Sequence, residues 1–133
     1  MPVTYHWDNP ERTVLRLIAA GEWSWRDFHR AAQISRVNMM NGSDRIDTIV
    51  DLRDTDRLPS GIAAHVRTFG RPENPRQTGR AVVIGIDANV VAKLAGESRT
   101  LQMSGDHVVV FVDTDEEALN LLERWQAGDE DRN

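Results

Sequence analysis

The stretch of residues 46–61 constrains the fold more than any other part of the chain. It opens with residues 46–50, a short run of mainly β-branched apolar residues that is typical of a buried strand. The chain becomes polar at Asp51, and Pro59 and Ser60 then favour the start of a helix with the Ser60 hydroxyl as its N-cap. Open α/β sheets bind ligands at the carboxyl ends of their strands, beside the helix that follows. The stretch therefore predicts an α/β fold with its functional edge near Asp51 and Ser60.

Strands and amphipathic helices alternate along the rest of the chain. The first two strands flank a turn-rich segment and predict a hairpin, while Ser24 and Asp27 match a capping box at the start of the first helix. The second helix is expected to continue to just before Pro72. The order β-β-α-β-α-β-α-β-α predicts a single α/β domain over residues 1–127, with a mixed, mostly parallel five-strand sheet and four helices. Residues 128–133 are expected to form an acidic, frayed tail.

Composition excludes several classes of function. The formal net charge of −5 argues against general nucleic-acid binding, because phosphate contacts need a basic surface. The chain has no cysteine, which excludes a disulfide framework and a thiolate zinc site. Its first residues lack the features of a signal peptide, and no apolar run approaches the roughly 18 residues of a membrane span. We therefore expect a soluble, cytoplasmic protein.

The acidic residues form no recognisable catalytic set. Asp51, Asp54 and Asp56 follow a strand, like the phosphorylated Asp of response-regulator receivers, but the other acidic residues and the lysine of that site are missing. Asp113 and Asp115 resemble the Asp-x-Asp motif of haloacid-dehalogenase phosphatases, but too little chain follows for that fold. No nucleophile–base pair, paired-histidine spacing or dinucleotide-binding loop is readable. We therefore predict no enzymatic activity, no metal site and no cofactor.

Aromatic and basic residues provide further candidates for binding. Trp23 and Trp25 flank Ser24, so we expect one in the core and the other along a groove or an oligomer contact. With Phe69 of the second helix they define a possible ligand groove. Four arginines are candidates for an anion site, although solvated arginines are the default expectation: Arg67, Arg71, Arg76 and Arg80.

As a whole, the chain resembles the STAS superfamily of anti-sigma-factor antagonists, and within it the bacterial SpoIIAA-like branch, which shares a fold with Sec14-type lipid-binding domains. Residues 21–27 look like that branch's entry into a capped first helix, and residues 50–52 match the end of its third strand. Residues 80–85 match its fourth strand, and Phe111, residues 116–119 and Trp125 match its closing strand and helix. The resemblance covers residues 2–127.

The resemblance implies a non-enzymatic binding module that acts through a protein partner, or a second copy of itself, near the second helix. In the phosphorylatable antagonists, Asp-Ser-Ser-Gly opens that helix and its first Ser accepts the phosphate; Ser60 and Gly61 fall there, although the Asp and the second Ser are missing. Asp51, Ser60, Gly61 and His65 are therefore candidates for partner contact or a switch. The alternative is a small, apolar, lipid-like ligand in the groove of Trp23, Trp25 and Phe69.

Overall fold

A six-stranded mixed sheet with helices on both faces makes up residues 2–72 and 74–131, the part of the chain that the computed structural model describes. The strands are β1 (Val3–Trp7), β2 (Val14–Ala19), β3 (Ile46–Asp51), β4 (Gln77–Ile84), β5 (Thr100–Gln102) and β6 (Val108–Val112). The α-helices are α1 (Trp25–Asn38), α2 (Ile62–His65), α3 (Ala88–Ala95) and α4 (Asp115–Asp131). The predicted α/β fold with a mixed sheet and four helices is confirmed in this part of the chain.

The sheet has six strands where the sequence predicts five, in the order β1-β2-β3-β4-β6-β5. Neighbouring strands from β2 through β3 and β4 to β6 are parallel, while β1 pairs with β2 as the predicted antiparallel hairpin. The additional strand, β5, pairs antiparallel with β6, with Thr100 opposite Val110. The sequence predicts an irregular segment over residues 96–106 with a short extended piece at residues 100–103, and three residues are too few to show the alternation that marks a strand.

Helices cover both faces of the sheet. On one face, Trp25 and Phe28 of α1 and Val91 of α3 belong to the same buried cluster as Leu17 and Val83 of the sheet. On the other face, α4 packs Ala118 and Leu122 against strand residues that include Val14, Ile49 and Val82. Because it is covered on both sides, β3 is buried at all six positions.

The N-cap of the first helix is confirmed. The Ser24 hydroxyl accepts a hydrogen bond from the Asp27 backbone N–H at 3.1 Å, and the Asp27 carboxylate accepts one from the Ser24 N–H at 2.9 Å. This reciprocal pair satisfies two backbone donors that the start of a helix leaves without intrahelical partners.

The prediction that Ser60 is the N-cap of the second helix is wrong. Gly61, with φ of 90°, is the N-cap of α2, and the helix has no side-chain cap. Ser60 lies outside it, and its carbonyl accepts a hydrogen bond from Trp25 Nε1 at 2.8 Å. The α-helix is also shorter than predicted, because it ends at His65 and continues as a 3₁₀ turn over Val66–Thr68. A left-handed glycine thus turns the chain before the helix begins, which a serine cap would not do.

These two serines allow a matched test. We expect Ser24→Ala to lower the free energy of unfolding by about 1 kcal/mol, because it removes a cap. Ser60→Ala should change it by less than about 0.5 kcal/mol, because it removes an exposed hydroxyl from a helix that it does not cap. Urea denaturation of both variants beside the wild type measures the two values. A larger loss for Ser60→Ala than for Ser24→Ala would contradict this assignment of the caps.

The last helix extends beyond its predicted end. It continues through Gly128 to Asp131, so the segment predicted to be a frayed tail is helical up to that residue. The predicted tail also includes residues 132 and 133, which lie outside the described residues. None of the helices in residues 2–72 and 74–131 combines the length and apolar character that a membrane crossing needs.

Candidate functional site

The predicted site residues fall on opposite faces of the sheet. Asp51 ends β3, and its carboxylate lies on the side covered by α4, where it accepts a hydrogen bond from Arg16. The remaining predicted residues lie around α1 and α2 on the other side: Ser60, Gly61, His65, Trp23, Trp25 and Phe69. The structure therefore brings together the candidates for partner contact on α2 and those for a groove, but separates Asp51 from them.

Six side chains on the α1 side form an aromatic cluster: Trp23, Trp25, Phe28, His29, His65 and Phe69. The Trp25 ring stacks on His65, with centroids 4.4 Å apart, and meets Trp23 edge-on at 4.9 Å. His29 Nε2 and His65 Nδ1 are 2.8 Å apart and share a hydrogen bond, which joins α1 to α2. Trp23 is 7% exposed and Trp25 is 9% exposed, so both pack in the core instead of one lining a groove.

A buried ion network surrounds Asp51. Arg16, which is 5% exposed, donates to Asp51 at 3.0 Å, to Asp115 at the start of α4 at 2.5 Å, and to both carboxylate oxygens of Asp8. Burial raises the pKa of Asp51, but hydrogen bonds from Arg53 and the charges of Arg53 and Arg16 outweigh it and bring that pKa below its usual value. Burial lowers the pKa of Arg16, but its carboxylate partners raise it above the ordinary value overall. Asp51 is thus held ionised as part of the scaffold.

A second ion network holds the other end of α4. Asp47 of β3, 1% exposed, binds Arg80 at 2.8 Å, and Arg80 also donates to Asp129 near the end of α4 at 2.7 Å. The Arg80 guanidinium lies over the Trp125 ring, 5.4 Å from its centroid. The predicted anion site therefore loses Arg80, whose charge is matched within the protein. Asp115 and Asp129 together attach the two ends of α4 to the sheet.

The largest exposed apolar side chains lie on α1 and α4, not on α2. Ile34, Val37 and Met40 are 42%, 73% and 63% exposed, and we call these three residues the α1 stripe. They recur at every third residue, which places them on one outer side of the helix and of the 3₁₀ turn that follows it. Leu119 of α4 is 46% exposed on the opposite side of the sheet. The spacing of the α1 stripe is readable in the sequence, but our prediction followed only the buried side of the helix.

A cavity of about 230 Å³ lies between α1 and the sheet. Leu15, Leu17, Phe28, Met39 and Phe69 provide its apolar lining. Of the three residues predicted to form a ligand groove, Phe69 lines this cavity, whereas Trp23 and Trp25 do not. The described residues include no group of three or more His, Asp or Glu side chains arranged to hold a metal ion.

A scan of the sequence against protein-family models finds no match, and a search of curated proteins finds none either.

Proposed function

We propose that the protein is a non-enzymatic interaction module that docks through the α1 stripe, and that the occupant of this surface is helix α4 of a second copy. The carrying observation is the exposure of Ile34, Val37 and Met40 on one side of a helix whose other side carries its buried residues. Apolar side chains clustered at the surface in this way are typical of protein–protein contacts. The resemblance to anti-sigma-factor antagonists agrees with a binding role.

Charge supports a second copy as the occupant. Arg26 and Arg30, exposed on α1, take part in no ion pair within the described residues. On α4, Leu119 lies between exposed Glu116 and Glu123, and we call these three residues the acidic face of α4. Their spacing of three and four residues puts them on one side of the helix. The α1 stripe therefore has positive charge at its N-terminal end, and the acidic face of α4 has negative charge around its apolar residue, so the two surfaces are opposite in charge.

Such a contact would be head-to-tail. Because α1 and α4 lie on opposite faces of the sheet, a copy that uses its α1 stripe still has its acidic face of α4 free. Contacts between two different surfaces of the same chain produce rings or open chains instead of twofold dimers. This geometry would let the module assemble into larger complexes.

The predicted docking surface near α2 is less favourable. The apolar residues of that segment point inward: Val66 and Phe69 are buried, and Ile62 is half-buried. The exposed apolar residues of α2 itself are the small Ala63 and Ala64. Docking through α2 remains a prediction, and it can be tested beside the α1 stripe.

We expect the wild-type protein to gain mass with concentration in analytical ultracentrifugation, over roughly 10 µM to 1 mM, where weak contacts become populated. Val37→Asp should keep the protein monomeric throughout, because it places a charge in the apolar contact. Ala63→Asp, a matched change on α2, should associate like the wild type. About 0.5 M salt should weaken the association by screening the charges.

Two outcomes would contradict the proposal. Association that is lost in Ala63→Asp but kept in Val37→Asp would place the contact on α2. A wild-type protein that stays monomeric up to 1 mM would exclude a second copy as the occupant.

A further inference from the structure

The cavity between α1 and the sheet is small, and its wall is partly apolar and partly polar. Its volume of about 230 Å³ is below the roughly 300–1,000 Å³ of sites for drug-sized ligands, so its occupant must be small. Phe28 and Met39 come from α1 and the turn after it, Leu15 and Leu17 from β2, and Phe69 from the segment after α2. These walls favour a ring or a short chain of carbon atoms.

Thr48 is a polar residue in the wall of this cavity. Thr48 of β3 is 3% exposed and lines the cavity, and its hydroxyl makes no hydrogen bond to any described residue. The other two polar residues of β3, Asp47 and Asp51, are both bound by arginines on the opposite face. No fully buried side-chain nitrogen or oxygen of a described residue lacks a hydrogen-bond partner, so the unpaired Thr48 hydroxyl is open to the cavity. The Thr48 hydroxyl therefore marks a point where a bound molecule would place a polar atom.

The neighbouring polar side chains are already engaged. The Ser35 hydroxyl donates to the Ala32 carbonyl at 2.6 Å, and the Thr68 hydroxyl donates to the His65 carbonyl at 2.6 Å. His29 shares its Nε2 with His65, and the Gln77 side-chain carbonyl accepts from the Asn74 N–H at 3.1 Å. Thr48 thus differs from the other uncharged polar side chains around the cavity.

The lining also carries positive charge. Arg36 and Arg71 both contribute to the cavity wall, which includes no Asp or Glu among the described residues. Arg71 is exposed, and its side chain forms no ion pair within the described part of the chain. A guanidinium at the edge of this partly apolar cavity favours a ligand with a carboxylate.

We propose that this cavity binds a small carboxylate with an apolar body and a second hydrogen-bonding atom at its far end. The carboxylate meets Arg71 at the solvent side, the apolar body packs between Phe28, Met39 and Phe69, and the far polar atom bonds to the Thr48 hydroxyl. A carboxylate placed at Thr48 instead would be buried without a cation, which is costly. The proposal is independent of self-association through the α1 stripe.

Three small molecules separate the parts of this proposal. 4-Hydroxyphenylacetate has the carboxylate and the far hydroxyl, phenylacetate lacks the hydroxyl, and 4-ethylphenol lacks the carboxylate. We expect 4-hydroxyphenylacetate to bind most tightly in isothermal titration calorimetry. In NMR spectra, it should shift the methyl signals of Met39 and Thr48.

Variants then assign each contact. Thr48→Val keeps the shape of the side chain but removes the hydroxyl. It should weaken the binding of 4-hydroxyphenylacetate about fivefold and leave the affinity for phenylacetate unchanged. Thr48→Ser should keep the affinity of the wild type for the hydroxylated ligand to within about twofold. Arg71→Gln should weaken the binding of both acids about tenfold and leave the affinity for 4-ethylphenol unchanged. Arg124→Gln, an exposed arginine of α4 on the opposite face of the sheet, is the control and should have no effect.

Three results would overturn the proposal. One is that none of the three molecules binds at roughly 10 mM, a concentration well above the Kd expected even of a weak specific site. Another is an equal loss of affinity for phenylacetate and 4-hydroxyphenylacetate in Thr48→Val. The third is an equal loss of affinity in Arg71→Gln and Arg124→Gln, which would indicate only the general charge of the surface.

Discussion

Arg16→Met should lower the free energy of unfolding by about 3–5 kcal/mol, the cost of removing one partner from a buried ion network. Arg16 is 5% exposed and binds Asp8, Asp51 and Asp115. Methionine fills similar space but leaves the buried Asp51 carboxylate with only the half-exposed Arg53, and leaves the start of α4 without its attachment. Urea denaturation followed by circular dichroism measures this loss.

The same variant should have a distinct pH dependence. Since the pKa of Asp51 is lowered by folding, its ionised form stabilises the protein above the ordinary carboxyl pKa of about 4. That stabilisation is lost as the pH falls through the lowered pKa of the folded state. The difference in unfolding free energy between wild type and Arg16→Met should therefore be largest near neutral pH and shrink below about pH 4.

An exposed ion pair provides the control for Arg16. Arg99 binds Asp113 at 2.7 Å, with side chains 32% and 60% exposed. Arg99→Met should cost less than about 1 kcal/mol, because surface ion pairs contribute little. If Arg16→Met costs no more than Arg99→Met, then the buried network does not hold α4 on the sheet.

Gly85→Ala should cost about 2–4 kcal/mol, because it combines backbone strain with a clash between two main chains. Gly85 follows β4 with φ of 98°, and a Cβ there would lie 2.6 Å from the backbone nitrogen of Arg53. The Leu52 N–H also donates to the Ile84 carbonyl at 2.8 Å, which fixes the two strand ends together. The clash therefore cannot be relieved by rotating a flexible side chain.

Gly105→Ala separates the two contributions. Gly105 also has a positive φ, of 62°, but a Cβ there meets nothing within 4 Å. This variant should cost about 1 kcal/mol, from backbone strain alone. Thermal and urea denaturation of both variants measures the two losses. An equal loss of stability in Gly85→Ala and Gly105→Ala would contradict the close approach of the two main chains.

Much of the fold could be predicted because its signals are local. The central strands are runs of β-branched residues, as expected when helices cover both faces of a parallel sheet. Ser24 and Asp27 lie three residues apart, and the capping box they form depends only on that spacing. Ser60 was wrongly predicted to be an N-cap, because Gly61 adopts a left-handed conformation and takes the N-cap position.

The candidate site was harder to predict because its contacts are not local. Asp51 and Arg16 are 35 residues apart in sequence, and only the pairing of β2 with β3 brings their side chains together. Thr48 appears in the sequence as one more β-branched strand residue, and its unpaired hydroxyl becomes evident only when the cavity beside it is known. A sequence pattern indicates which residues alternate, but not which polar groups find partners across the sheet.

The most direct test of head-to-tail docking mixes two variants that each lack one surface. Val37→Asp disrupts the α1 stripe and keeps the acidic face of α4, whereas Leu119→Asp disrupts the acidic face and keeps the stripe. Both positions are exposed, so both variants should fold. Each variant alone should sediment as a monomer, and an equimolar mixture should form a one-to-one complex that grows no further, because no intact pair of surfaces remains. A mixture that stays monomeric at concentrations where the wild type associates would contradict docking of the α1 stripe on α4.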